Sequence, residues 1–210
     1  MVSTSANFLS IFLSGMTSAS KVSVSAMRRL IDHSNPRITP HFDPEPPLFL
    51  PAALSLSDIR LFDANFAPTD GYCLLLIAEG RGFLEITKNT AQNITQDGTD
   101  HNNIDHHSLK KYSLFFFPLS KRWRLCLENS PWKFYLFFLS GVSVSYYNKL
   151  FSNSAKEPFL ISGSSMLPLQ LFHMYDALSD YNHDPLWLSE QLTSLLCLTI
   201  KEARCHAQAD

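Results

Sequence analysis

Two short, almost wholly apolar runs stand out in the pattern of hydrophobic and polar positions, at 114–117 and at 134–139. Both are rich in Phe, Tyr and Leu and are bounded by proline or glycine, which is typical of buried β-strands. Each is far shorter than the roughly 20 apolar residues that a membrane-spanning helix needs. Between them, 122–127 alternates, with Trp123 and Leu125 on one face and arginines on the other. The pattern predicts three successive antiparallel strands joined by tight turns, the middle one with one wet face and one dry face.

More strand signals precede this stretch, beginning at Leu54. Ser57–Asn65 alternates, and Tyr72–Ala78 is nearly all apolar. The sequence Glu-Gly-Arg-Gly at 79–82 indicates a tight hairpin turn, after which Phe83–Thr87 returns. Together with the first stretch this makes about seven or eight short strands with regularly spaced turn signals. Such spacing is typical of an antiparallel sandwich or barrel of the jelly-roll kind.

The C-terminal part has the apolar spacing of amphipathic helices. We predict helices over 142–151, over 166–178 and from Asp184 to about Ala207. Asp184 is followed by proline, the combination of an N-cap and a first helical residue. The last two helices form an antiparallel pair in this interpretation, packed on the barrel, on a second copy of the chain, or on both.

These patterns divide the chain into three regions. Residues 1–53 form a Ser- and Pro-rich leader and arm, with six prolines between 36 and 51 that favour an extended conformation. Residues 54–141 form a mostly β jelly-roll barrel. Residues 142–210 form a helical segment.

Composition narrows the class of protein. The 210 residues are 45% hydrophobic, enough for one large core. The net charge of −2 gives no basic excess of the kind that marks a free-standing nucleic-acid binder. Four scattered cysteines without a Cys-x-x-Cys pair indicate a reduced, cytoplasmic protein, and the short apolar runs indicate no membrane segment.

Candidate catalytic chemistry is sparse. A metal site needs three or four converging histidines or carboxylates, and no histidine falls in a predicted barrel strand. His101, His106 and His107 cluster in the polar stretch 88–108, which we interpret as a solvated loop. There is no Gly-x-Ser-x-Gly elbow and no pair of carboxylates within a predicted strand. We therefore predict no metal, no cofactor, no catalytic residue and no enzymatic activity.

The sequence Arg122-Trp123-Arg124 allows two interpretations. Trp123 is a core residue with the arginines outside, or Trp123 and Leu125 form the inner wall of an apolar ligand pocket. In the second case Phe134 and Leu136 face the same interior from the neighbouring strand, by the two-residue period of strands.

Three blocks of the sequence resemble a known family. GYCLLLIAEGRG at 71–82, FFFP at 115–118 and PWKFYLFFLSG at 131–141 are similar to segments of the effector-binding and dimerisation domain of AraC-type transcription regulators. The resemblance extends from about Ser57 to His206. It implies a cupin-like barrel that binds a small effector, often a sugar, with an N-terminal arm able to fold over the pocket and with C-terminal helices that form a homodimer.

The resemblance also implies functional positions. Asn65 stands where the arabinose-binding member has an arginine, and Phe134 and Leu136 stand where it has an aromatic and histidine wall, so the effector's identity is open. The expected ligand-binding residues are Asn65, Tyr72, Leu74, Trp123, Leu125, Phe134 and Leu136, and the expected dimer interface contains Leu188, Leu192 and Leu195.

The family's helix-turn-helix unit has no counterpart before Asp210. We therefore expect DNA to be contacted only through a domain missing here, whether the chain is an excised domain, a truncated gene product or a solitary sensor. The predicted function is small-molecule sensing and dimerisation within an AraC-like regulator. Two alternatives stay open: a solitary cupin acting as a metal-dependent enzyme, and a dimerisation-only partner that modulates a full-length regulator.

Overall fold

A computed structural model of the chain describes residues 34–38, 46–59, 63–66, 71–87, 104–128, 131–154, 157–178 and 184–208. The leader at 1–33 and most of the polar stretch 88–108, including His101, lie outside these ranges. The described part contains strands β1 Ser34–Ile38, β2 Phe49–Ile59, β3 Asp63–Phe66, β4 Tyr72–Glu79, β5 Arg81–Thr87, β6 Ile104–Lys110, β7 Ser113–Pro118, β8 Trp123–Leu127, β9 Trp132–Ser140 and β10 Phe159–Leu160, and helices α1 Val144–Ser152, α2 Leu167–Ala177 and α3 Pro185–Ala207.

The strands form two antiparallel sheets. The large sheet has the order β1-β2-β9-β4-β7-β10, and the small sheet has the order β3-β8-β5-β6. The three strands predicted over 112–141 are present as β7, β8 and β9, but the prediction that they pair in succession is wrong. β7 and β9 lie on either side of β4, while β8 belongs to the other sheet.

The two sheets differ in how many faces they bury. On β4, Cys73, Leu75 and Ile77 point toward the small sheet, and the intervening residues point toward the helices. Both sets are buried, which explains why β4 and β9 have continuous apolar runs. The small sheet buries one face, so that Leu84 points inward from β5 and the residue after it points outward.

The helices form a third layer on the outer face of the large sheet. α3 contacts β2, α1 and α2, and α1 contacts β7. Residues of all three helices share one core cluster with that face of the sheet. The predicted start of α3 is confirmed: Asp184 is the N-cap, and its Oδ1 accepts a hydrogen bond of 3.0 Å from the Leu186 amide. Among the described residues, no helix is both long and apolar enough to cross a bilayer.

Candidate functional site

Four of the predicted ligand-binding residues meet inside the sandwich. Trp123 and Leu125 from β8 and Phe134 and Leu136 from β9 belong to one core cluster, and none is more than 1% exposed. Trp123 packs edge-on against Phe117, with ring centroids 5.1 Å apart. Solvent does not reach these side chains in this structure, so a ligand between them would have to displace packed aromatic rings.

The structure separates the other predicted ligand residues from these four. Tyr72 and Leu74 lie on the helix-facing side of β4, where Tyr72 stacks on Phe116 with a centroid distance of 5.4 Å. Residues two apart share a face of a strand, and the residues next to them point the other way. Asn65 pairs with Arg124 in the small sheet, and its side chain lies outside what the structure describes. The seven residues therefore do not line one cavity.

The three leucines assigned to a dimer interface are buried within the chain itself. Leu188, Leu192 and Leu195 are 3%, 0% and 3% exposed and belong to the core between α3 and the large sheet. This corrects their interpretation as a surface for a partner, because a side chain already packed against its own sheet presents no area to a second copy. The apolar side chains that the helices do expose are others, among them Leu169, Leu186 and Trp187.

The outer face of the small sheet carries a row of polar side chains. Glu85 lies opposite His106 on one neighbouring strand and Arg124 on the other. A Glu85 carboxylate oxygen is 3.4 Å from His106 Nδ1, and the other is 3.6 Å from an Arg124 guanidinium nitrogen. His106 and Arg124 are roughly half exposed or more. The Glu85–Arg124 contact is therefore a solvated cross-strand ion pair of small energetic effect.

Two histidines that the sequence assigns to a loop lie in a strand. His106 and His107 are in strand β6, which corrects their assignment to a solvated loop. His107 is half-buried, with its ring 5.2 Å from that of Phe115. Within the described ranges, no three His, Cys, Asp or Glu side chains lie close enough together to hold a metal ion.

An open groove of about 520 Å³ lies between α2 and α3. Ligand sites in proteins commonly have volumes of roughly 300–1,000 Å³. The α2–α3 groove is lined by Gln170, His173, Met174 and Ala177 of α2 and by Trp187, Gln191, Ser194 and Leu195 of α3. Residue spacing of three and four along each helix brings these side chains onto facing sides. Sequence reasoning missed the groove because it depends on how the two helices are placed, which apolar periodicity does not specify.

Comparisons with known proteins give structural similarity only. No family model matches the sequence, and no curated protein matches it. The AraC-like transcriptional activator CuxR aligns over 85% of this chain and 65% of its own length, at 11% identity and a TM-score of 0.48. A Cupin_2 domain of an XRE family transcriptional regulator from Enterobacter cloacae aligns over 50% of this chain and 92% of its own, at 11% identity and a TM-score of 0.33.

A third similar structure is an enzyme. A point mutant of the oxalate decarboxylase OxdC from Bacillus subtilis aligns over 45% of this chain and 21% of its own, at 12% identity and a TM-score of 0.33. The similar structures therefore include an enzyme as well as regulators, which contradicts the prediction that the chain is not an enzyme. A cupin domain and an AraC-like activator are thus among the structures to which this chain is similar.

Proposed function

We propose that the chain is the small-molecule-sensing and dimerisation domain of a cytoplasmic, AraC-like transcription regulator. One observation carries this proposal: the α2–α3 groove lies between helices that are docked directly on the large sheet. Regulators of this kind contact DNA through a separate domain. The part of the chain described here senses the effector, and the sandwich serves as its scaffold.

The filled interior of the sandwich favours the groove as the effector site. A ligand inside the sandwich would have to displace side chains such as Trp123 and Phe134, whereas the groove is already open. Effector binding there contacts both helices at once. It therefore favours whichever arrangement of α2 and α3 fits the effector best, which is how a ligand shifts a conformational equilibrium.

Dimerisation in this proposal uses the exposed apolar side chains of the same helices. Leu169 and Leu186 are 43% and 69% exposed, and neighbouring Met166 is 59% exposed. Exposed apolar side chains concentrated on one layer are typical of contact surfaces for partners. A second copy bound over this layer would bring the effector site next to the dimer interface and couple the two.

Sedimentation velocity of the whole chain tests the proposal. We expect a homodimer at micromolar concentration, and we expect Leu186→Asp to give a monomer with an unchanged melting temperature because Leu186 is outside the core. Ser152→Asp, which adds the same charge at an exposed position of α1, is the control and should leave the dimer intact. A wild-type chain that stays monomeric at every concentration tested contradicts the proposal.

A further inference from the structure

The side chains of the α2–α3 groove specify the charge of its ligand. Among the described residues that line it there is no Asp, Glu, Lys or Arg. The polar groups are the amides of Gln170 and Gln191, the hydroxyl of Ser194 and the imidazole of His173. Amides and hydroxyls both donate and accept hydrogen bonds without supplying a full charge.

The floor of the groove is apolar and belongs to the core. Met174 and Leu195 line the groove, yet they are 6% and 3% exposed and pack in the cluster shared with the large sheet. A floor of this kind is held by packing on its far side, so it presents a fixed apolar surface to a ligand. Trp187 stands beside it, 37% exposed, with an indole large enough to cover one face of a ring.

These two features together select a class of ligand. Among the described lining residues, a carboxylate or phosphate entering the groove would lose water without meeting a Lys or Arg side chain, and an ammonium would lose water without meeting an Asp or Glu side chain. A neutral ring gains contact with Met174 and Trp187 and exchanges its water for the amides. Building on the function proposed above, we infer that the α2–α3 groove binds a small, uncharged ring compound bearing hydroxyl or amide groups.

The test uses the tryptophan side chains as reporters. The chain has three tryptophans, and the other two, Trp123 and Trp132, are 1% exposed in the sandwich core. In a ¹H–¹⁵N spectrum of the whole chain, Trp187→Phe assigns the Trp187 indole signal. The probes are a fragment library with equal sets of neutral, carboxylate and amine ring compounds. We expect neutral fragments to shift the Trp187 signal while the two core signals stay still.

A change of charge in the groove sharpens the test. Gln191→Lys places a cation among the lining residues, and we expect neutral fragments to bind about tenfold more weakly and carboxylates to begin to bind. Ser152→Lys adds the same charge at an exposed position in α1 and should leave the selectivity of the wild type. The inference is overturned if no fragment moves the Trp187 signal, or if charged fragments move it as well as neutral ones do.

This outcome is separable from that of the proposed function. Neutral fragments that bind beside Trp187 in a chain that sediments as a strict monomer support the ligand class and contradict the sensing dimer. A dimer whose Trp187 signal no fragment moves supports dimerisation and contradicts the ligand class.

Discussion

Two glycines and one tryptophan define the corner where the chain passes from the large sheet to the small one. Gly80 has φ +91°, a conformation that favours glycine, and it connects β4 to β5. The indole of Trp132 lies over both Gly80 and Gly82 and is 1% exposed. The turn at 79–82 and the sequence Pro131–Trp132 are far apart in the chain, yet they meet here because neither glycine has a side chain to hold the ring away.

The contact at Gly82 can be tested with one methyl group. A Cβ at Gly82 would collide with the carbonyl oxygen of Cys126 and with the Trp132 ring. We expect Gly82→Ala to lower the free energy of unfolding by about 1–3 kcal/mol, the usual cost of overpacking. Urea denaturation measures it, with Gly163→Ala as control, since a Cβ there meets nothing within 4 Å. Equal stability of the two variants would show that the indole does not lie against Gly82.

A second residue-scale feature is the buried thiol of Cys73, which is 0% exposed. Burial raises the pKa of the Cys73 thiol well above its ordinary value, with a smaller opposing effect from the Phe137 backbone. The folded chain therefore holds this proton more tightly than the unfolded chain. Its contribution to stability is complete below the pKa of an unfolded cysteine, about 8.5, and is lost progressively as the pH rises above that value.

This effect is measurable as a difference in pH slopes. Above about pH 8.5 we expect the free energy of unfolding of the wild type to fall more steeply than that of Cys73→Ala, by up to about 1.4 kcal/mol per pH unit. Cys197→Ala, which removes an exposed thiol, should keep the wild-type slope. Identical slopes for wild type and Cys73→Ala would mean that Cys73 ionises in the folded chain.

Among the elements, α3 has an apolar face because that face packs on the large sheet. Its leucines lie in the core with the sheet, and Asp184 caps its first turn. Asp184→Ala removes the acceptor for the Leu186 amide, and we expect it to cost about 1 kcal/mol, whereas Asp184→Asn should cost only a few tenths. Thermal or urea unfolding followed by circular dichroism measures both. A loss as large for Asn as for Ala would point to the charge of Asp184 rather than to its hydrogen bond.

The two leucine environments of α3 give a matched pair. Leu192 is 0% exposed and Leu186 is 69% exposed. We expect Leu192→Ala to destabilise the chain by about 2–5 kcal/mol, because it leaves a cavity against the sheet. We expect Leu186→Ala to stay within about 0.5 kcal/mol of the wild type in unfolding experiments on dilute protein. If Leu186→Ala destabilised the chain more than Leu192→Ala, the buried leucines of α3 would again be candidates for contact with a second copy.

Apolar runs and turn residues predict where the strands and helices lie, but they do not predict which elements pack or pair with each other. The apolar runs identify β4, β7 and β9, since hydrophobic density and turn residues are local properties. Which sheet β8 joins is decided by pairing with β5, a strand distant in the chain, and local alternation does not report it. In the same way, a leucine stripe at helical spacing is identical whether it meets its own sheet or a second copy, so the pattern assigns Leu188, Leu192 and Leu195 to the wrong contact.

For the candidate site, too, the sequence predicts which residues share a face of a strand but not what packs against them. The two-residue period places Trp123, Leu125, Phe134 and Leu136 on a common interior, and the structure groups them. Tyr72 and Leu74 come from the family resemblance, and strand parity puts them on the opposite face of β4. Whether an interior is filled or hollow depends on the total volume of side chains from both sheets, which no single stretch of sequence contains.

At the scale of the whole molecule, three layers perform different tasks in this account. The two sheets enclose an aromatic core, and the helices cover the large sheet while leaving the α2–α3 groove open. The central strands of the large sheet thus lie between the two cores and contribute side chains to both. In the function proposed above, an effector bound in the groove would act on helices whose inner faces belong to one of those cores.

A crystal structure can check the claim that the effector site is the α2–α3 groove and not the sandwich interior. Crystals of the whole chain would be soaked with the neutral fragment that shifts the Trp187 signal most. The expected result is electron density between the two helices, with the fragment against the indole of Trp187 and within hydrogen-bonding distance of Gln170 or Gln191. Density inside the sandwich, between Trp123 and Phe134 with the groove empty, would contradict the claim.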